Sequence, residues 1–200
     1  MESILTNQVA QVLAHFQDPV LQQDYSSLGL ISDLEVNDAV IRVGIRLPYP
    51  CTGVADEIEQ NLRAAFNKVI ASREVQINLQ SQIEGQPSSN KIQQLDGVKN
   101  IVAVASGKGG VGKSTTTVNL ALALTAQGAN VGILDADIYG PSQSIMLGVP
   151  ADFQPETVDG KYWLPVEAHG LQSMSMGYLV NEKTPMVWRG PMVTQALNQM

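Results

Sequence analysis

Gly107, Gly112, Lys113 and Ser114 stand at the spacing G-x-x-x-x-G-K-[ST]. Glycine lets successive backbone N–H groups turn inward with no Cβ in the way, and a loop of that kind surrounds phosphate oxygens. A helix starting directly after the loop adds its free N–H groups and the positive end of its dipole. The expected contacts of a nucleotide's phosphates are therefore Gly107, Lys108, Gly109, Gly110, Val111, Gly112, Lys113, Ser114 and Thr115. Lys113 is the cation for the β and γ phosphates, and the Ser114 hydroxyl is the ligand for Mg²⁺. The expected ligands are thus ATP and Mg²⁺. By chance the bare spacing arises in less than ~1% of chains this long. Here an apolar, strand-like run over 101–105 precedes it and a helical pattern follows, which is the context the motif requires.

Asp135 and Asp137 form the second chemical element. They close the short apolar run 130–134 (NVGIL), where ligands bind at the carboxyl ends of strands in open α/β sheets. Hydrolysis of a nucleotide needs a group that aligns water with the γ-phosphate, with metal ligands close by.

With its additional lysine the loop reads GKGGVGKST, which resembles the deviant phosphate loop of the MinD, ParA, ArsA and nitrogenase iron protein class. The resemblance implies that Lys108 reaches across a homodimer to the partner's nucleotide; on chemistry alone it is a cation beside an anion site. It also implies that Asp137 orients the attacking water, so that Lys108, Lys113 and Asp137 form the catalytic set. Two other readings stay open. In one, GILD (132–135) is a Walker B strand and Asp135 the magnesium carboxylate; in the other, both aspartates cap a turn.

The segments LDADIYGPS, VDGKYWLPVEAHGLQSMSMGYLV and VWRGPMVTQALNQM extend the likeness. Together with the loop they are similar to the Mrp/ApbC family of cytosolic iron–sulfur cluster carrier ATPases. The front of the chain is similar to the small domain found alone in iron–sulfur targeting factors. This resemblance implies a cytoplasmic homodimer that passes clusters to apo iron–sulfur proteins and works with an assembly scaffold. It further implies a D-x-P-P-G-T-G-D element and a C-x-x-C pair holding a [4Fe–4S] cluster, both beyond residue 200. On that reading the chain is part of a longer protein, and alone it hydrolyses nucleotide weakly. A MinD/ParA-type positioning ATPase is the alternative, and a non-enzymatic recruiting module is a third reading.

The elements that must position these groups follow from pattern. Residues 2–16 place Ile4, Leu5, Val9, Val12, Leu13 and Phe16 at helical spacing, and Asp18-Pro19 stops the helix. Strands are expected over 28–36, 39–47 and 74–79. The first two form a hairpin about Asn37 and Asp38. A helix over 54–70 carries Val54, Ile58, Leu62, Ala65, Phe66 and Val69 on one face. After the loop, a helix runs to Gln127 and Gly128, and 130–134 is a short strand. The fold class is therefore α/β, a P-loop NTPase parallel sheet that is incomplete here, preceded by a small α+β domain. The expected domains are 1–82 and 98–200, with the polar, Gln- and Ser-rich segment 83–97 as linker.

Composition sets limits. At 44% apolar and 16% charged, the 200 residues can bury cores. A net charge of −7 disfavours nucleic acid and anionic membrane as partners. No run reaches 18 apolar residues, and the first residues lack a signal-peptide pattern. The single cysteine, Cys51, fits a reducing compartment and precedes a helix, where a buried apolar role weighs against a reactive one. His15 and His169 have no partner at metal spacing and read as structural. Met174, Met176, Met186, Met192 and Met200 read as core or interface filler. Arg189 of Trp188-Arg189-Gly190-Pro191 reads either as a phosphate or dimer contact or as a surface-paired arginine.

Overall fold

The computed structural model describes residues 2–37, 39–70, 73–85, 95–138, 140–160 and 162–179. The chain divides into two compact units, 1–101 and 102–200.

In the first unit, helix α1 (Glu2–His15) precedes strands β1 (Ile31–Val36) and β2 (Val40–Leu47), helix α2 (Ala55–Val69) and strand β3 (Glu74–Ser81). The sheet order is β1-β2-β3. β1 and β2 pair antiparallel as the expected hairpin, whereas β3 returns parallel to β2 after α2 crosses over. The side-chain period of two puts Ile41, Val43, Ile45 and Leu47 of β2 on one face, all buried. Against them pack Leu5, Val9, Val12 and Leu13 of α1 and Ile58, Leu62 and Phe66 of α2. Burial of each such side chain contributes roughly 1.5–3 kcal/mol. Two apolar residues of the expected faces stay outside: Ile4 is 64% and Val69 47% exposed. Their chain neighbours Leu5 and Ile70 take the buried places instead. α2 also fastens to β3 through Arg63, whose Nη1 donates to the Val75 carbonyl while Glu59 pairs with the guanidinium.

β1 begins three residues later than its apolar pattern suggests. The Asp24 carboxylate accepts from Ser27 N–H (2.7 Å) and Ser27 Oγ (2.7 Å), and Leu30 N–H reaches the Tyr25 carbonyl. Gly29, at φ +66°, completes that turn, so Leu28 is spent in it.

The second unit contains α3 (Lys113–Ala126), β4 (Gly132–Asp135), the single turn α4 (Gln143–Met146) and strands β5 (Thr157–Val158), β6 (Tyr162–Trp163), β7 (Val166–Ala168) and β8 (Leu171–Ser175). Its main sheet has the order β4-β8-β7, with β4 and β8 parallel. β7 and β8 form a hairpin through His169 and Gly170, both at positive φ (52° and 77°), the conformation a two-residue type I′ turn requires. Val118 and Ala121 of α3 pack with Ile133, Leu147 and Leu171, and Val166, Met174 and Tyr178 form a second small core.

One expectation is overturned. Residues 101–105 form no strand, and Ile101 and Val102 are 73% and 69% exposed. An apolar run becomes a strand only by pairing, and among the described residues β4 pairs with β8 rather than with this run. The parallel pair of this unit is thus β4 with β8, and the phosphate loop follows an unpaired segment.

Candidate nucleotide site

The loop's geometry is set by glycine. Gly110 and Gly112 lie at φ +73° and +89°, in the left-handed region that side chains with a Cβ avoid. Gly112 is also the N-cap of α3 and has no side chain to offer the helix. The first backbone bond of the helix runs from Thr116 N–H to the Gly112 carbonyl (2.8 Å). The N–H groups of Lys113, Ser114 and Thr115 therefore have no acceptor within the helix. The first turn holds no acidic residue that could cap it. Nothing lies within 4 Å of where a Cβ would sit at Gly107, Gly109, Gly110 or Gly112, so space is open on that side of the loop. Lys108 is exposed, and its N–H is held by Ser106 Oγ at 3.1 Å. Lys113 and Ser114 are half-buried, and Val111 and Thr115 are exposed. Free N–H groups, a positive dipole end, two lysines and no neighbouring carboxylate in the helix's first turn fit a polyphosphate and its Mg²⁺.

At the end of β4, Asp135 is 7% exposed and wholly engaged. Its Oδ1 accepts from Asp137 N–H (3.1 Å). Its Oδ2 accepts from Ser142 N–H (3.1 Å), Gln143 N–H (3.2 Å) and Ser175 Oγ (3.0 Å). The carboxylate therefore folds the segment after β4 into a closed turn and joins it to β8. Tyr178 belongs to the same neighbourhood. Burial pushes its phenol up, Ser173 Oγ at 2.7 Å partly offsets this, and the Asp135 charge adds to the rise.

Asp137 differs from its neighbour. It is exposed, and its Oδ1 accepts from Gly140 N–H at 3.1 Å. Lys108, Lys113 and Asp137 make no ion pair with one another. The loop and the strand end are joined by a residue that sequence reasoning passed over: Gln143 Nε2 donates to the Ser114 carbonyl at 3.2 Å. Gln143 is 3% exposed, and its Oε1 has no partner among the described residues, nor has the buried Ser142 Oγ. A buried polar atom left unpaired costs about 1–3 kcal/mol.

Elsewhere, Cys51 is buried (7% exposed), with its N–H on Ser81 Oγ (3.0 Å) and its Sγ accepting from that hydroxyl (3.2 Å). His15 Nδ1 bonds the Gln11 carbonyl and His169 Nε2 the Leu147 carbonyl, as structural histidines do. Met174 and Met176 are buried. Met186, Met192, Met200 and the segment 188–191 with Arg189 lie outside the described residues. Among the described residues no group of three His, Cys, Asp or Glu could hold a metal. The stop signal at Asp18 conceals a buried hub. That carboxylate, 1% exposed, accepts from Val20 N–H, Leu21 N–H, Tyr25 OH (2.9 Å) and Tyr49 OH (2.5 Å). Burial first, and the Asp18 hydrogen bond and charge next, hold both phenols far above their ordinary range.

Comparison with known families separates the two halves of the chain. The model described as iron–sulfur cluster assembly protein matches residues 6–79. The model described as ParA, NUBPL iron-transfer P-loop NTPase, matches residues 97–200. The chain belongs to the NUBPL iron-transfer P-loop NTPase family. Relatives that carry the name iron–sulfur cluster carrier protein include three from different bacteria. The protein of Haemophilus influenzae is 44% identical over 194 residues, covering 97% of this chain and 52% of that one. That of Escherichia coli (strain K12) is 42% identical, covering 96% and 52%. That of Deinococcus radiodurans is 40% identical, covering 98% and 54%. The chain thus spans about half the length of the curated relatives it matches. A solved structure of a domain of unknown function, DUF59, from Bacillus anthracis aligns with TM-score 0.36 and 18% identity over 39% of this chain and 76% of its own, too slight a likeness to bear on the fold. The matched stretch includes residues 107–114, which carry the G-x-x-x-x-G-K-[ST] spacing. No helix among the described residues is long and apolar enough to cross a membrane.

Proposed function

We infer that this chain supplies the nucleotide site and partner-recruiting domain of an ATP-hydrolysing iron–sulfur cluster carrier. The observation that carries the reading is the phosphate loop. Within GKGGVGKST a left-handed Gly112 begins an uncapped helix, in a chain whose other half matches an iron–sulfur assembly family. Backbone N–H groups over 107–115 receive the phosphate oxygens, and Lys113 neutralises the β and γ charge. Ser114 Oγ holds Mg²⁺, which when bound screens the developing charge on the transferred phosphoryl group. Asp137, exposed at the strand end, orients a water molecule. Lys108 completes the partner's site in a cytoplasmic homodimer. The cargo, a [4Fe–4S] cluster, sits on cysteines beyond residue 200 and passes to apo iron–sulfur proteins, with an assembly scaffold as donor. Asp135 is read as the organiser of the turn, because its two oxygens already accept four hydrogen bonds. A MinD/ParA-type positioning ATPase is the weaker alternative, since it gives no part to the assembly-family domain at 6–79.

The test has two stages. The 200-residue chain should bind a fluorescent ATP analogue with Mg²⁺, and Lys113→Ala should weaken binding by about 100-fold, the loss of one charge-assisted phosphate contact or more. A chain of the relatives' full length, reconstituted anaerobically with iron and sulfide, should turn brown, dimerise and activate an apo-acceptor. A colourless protein that binds ATP normally would sink the carrier reading and favour the positioning ATPase.

A further inference from the structure

We propose that Gln143 is a positioning residue that locks the segment bearing Asp137 to the first turn of α3, so that nucleotide bound at the loop is felt at the end of β4. The inference rests on the nucleotide-site reading above and adds to it how loop and strand end communicate.

Gln143 sits in a place where an apolar side chain would be the ordinary choice, since it is 3% exposed. Leucine or methionine would fill the same volume without burying an amide, so volume alone does not account for it. Its side-chain amide supplies a donor that an apolar residue lacks, alongside the backbone N–H that any residue would offer. The backbone N–H donates to Asp135 Oδ2 at 3.2 Å, and the side-chain Nε2 donates to the Ser114 carbonyl at 3.2 Å. One residue therefore joins the last residue of β4 to the second residue of α3. Asp135 accepts from Asp137 N–H as well, which places Asp137 on the same network at one further bond. Ser114 adjoins Lys113 and bears the hydroxyl assigned to Mg²⁺. A shift of either end is thus passed to the other through three hydrogen bonds and no flexible side chain longer than glutamine.

A second observation indicates that the network is incomplete as it stands. Gln143 Oε1 and Ser142 Oγ are both buried without a partner among the described residues. Neighbouring orphan groups beside the loop helix are in position to gain a partner when that helix receives its ligand. The bound state then stabilises Asp137, Ser142 and Gln143 more than the free state does, which is the differential contact that coupling requires.

Hydrogen exchange of the 200-residue chain tests this with ATP and Mg²⁺ as the probe. In the wild type, ligand should slow exchange at 112–118 and also in peptides spanning 131–146. In Gln143→Met, which keeps volume and apolar packing, protection should remain at 112–118 and vanish at 131–146. The nucleotide affinity of that variant should fall by the coupling it loses, about 5-fold, because linkage is reciprocal, and should stay well above that of Lys113→Ala. Gln143→Leu, which also removes the donor without adding a charge, should behave the same way and substitutes for the methionine variant if that one fails to fold. Equal protection of both regions in the variants overturns the proposal while leaving the nucleotide site in place. So does wild-type protection confined to the loop. A wild type that shows no protection anywhere overturns the nucleotide-site reading itself, and this inference with it.

Discussion

Asp135 and Asp137 are two residues apart and chemically unlike. A magnesium carboxylate must offer an oxygen to the ion, yet Asp135 is buried, its Oδ2 accepts three hydrogen bonds and its Oδ1 accepts from Asp137 N–H. Asp135→Asn should therefore act on stability. Its amide nitrogen would face N–H donors, and the second unit should lose about 1–3 kcal/mol in urea unfolding. The Mg²⁺ concentration needed for nucleotide binding should stay within about two-fold; a ten-fold rise with unchanged stability would restore Asp135 as a metal ligand. The contrast marks how far residues can be read in sequence. The loop was legible because its chemistry is contiguous over 107–115. Gln143 and Ser175 were not, because their decisive contacts bridge 29 and 40 positions and no short spacing records them. Asp18 failed for another reason. A stop signal before proline is a sufficient local account of an aspartate, and nothing local says that two tyrosines will turn their hydroxyls toward it.

Among the elements, α2 is where pattern and packing agree best. Ile58, Leu62 and Phe66 recur at i, i+4 and i+8, and all three are fully buried against β2. Phe66→Ala should destabilise the first unit by about 3–5 kcal/mol, through lost transfer energy and the cavity left behind. Val69→Ser at the exposed end of the same helix should change it by less than about 0.5 kcal/mol. Equal losses in chemical unfolding would mean that the register of α2 on the sheet is wrong. Periodicity succeeded here because burial repeats along a helix that packs on one face. It failed at 101–105, where strand character depends on a partner, and Ile101 and Val102 lie unpaired in solvent. It said nothing of β7 and β8, whose hairpin is defined by two positive-φ residues, one of them the non-glycine His169. The parallel partner of β4 was thus invisible until the chain was folded.

At the scale of the whole molecule, the two units should answer to different variables. The first contains Tyr25, fully buried with its hydroxyl on Asp18, and Tyr49 on the same oxygen. Burial and the Asp18 carboxylate raise both phenols above their ordinary value of 10. In the unfolded chain they ionise near 10, whereas in the folded unit they stay neutral. The stability they support is therefore complete below pH 10 and is lost as pH climbs above it, by about 1.4 kcal/mol per pH unit for a fully buried phenol. The second unit contains Tyr178, raised by burial as well, so it shares the direction with one phenol on a hydroxyl in place of two on a carboxylate. Nucleotide works on the other side. A ligand that binds only the folded phosphate loop adds about 2.7 kcal/mol at 100 times its dissociation constant. That gain should appear in the second unit alone. Trp163 lies in the second unit, so with Trp188→Phe as background its fluorescence follows that unit. Exchange of amides in α2 and β2 follows the first. With ATP and Mg²⁺ at pH 7.5, the tryptophan transition should move to higher urea and the α2 amides should keep their protection unchanged; Lys113→Ala should abolish the shift. Between pH 9.5 and 11, protection in α2 should fall more steeply than the tryptophan midpoint, and Tyr25→Phe should flatten that fall. If nucleotide strengthened both transitions equally, the units would be one cooperative body, and the loop's influence would reach well past residue 102.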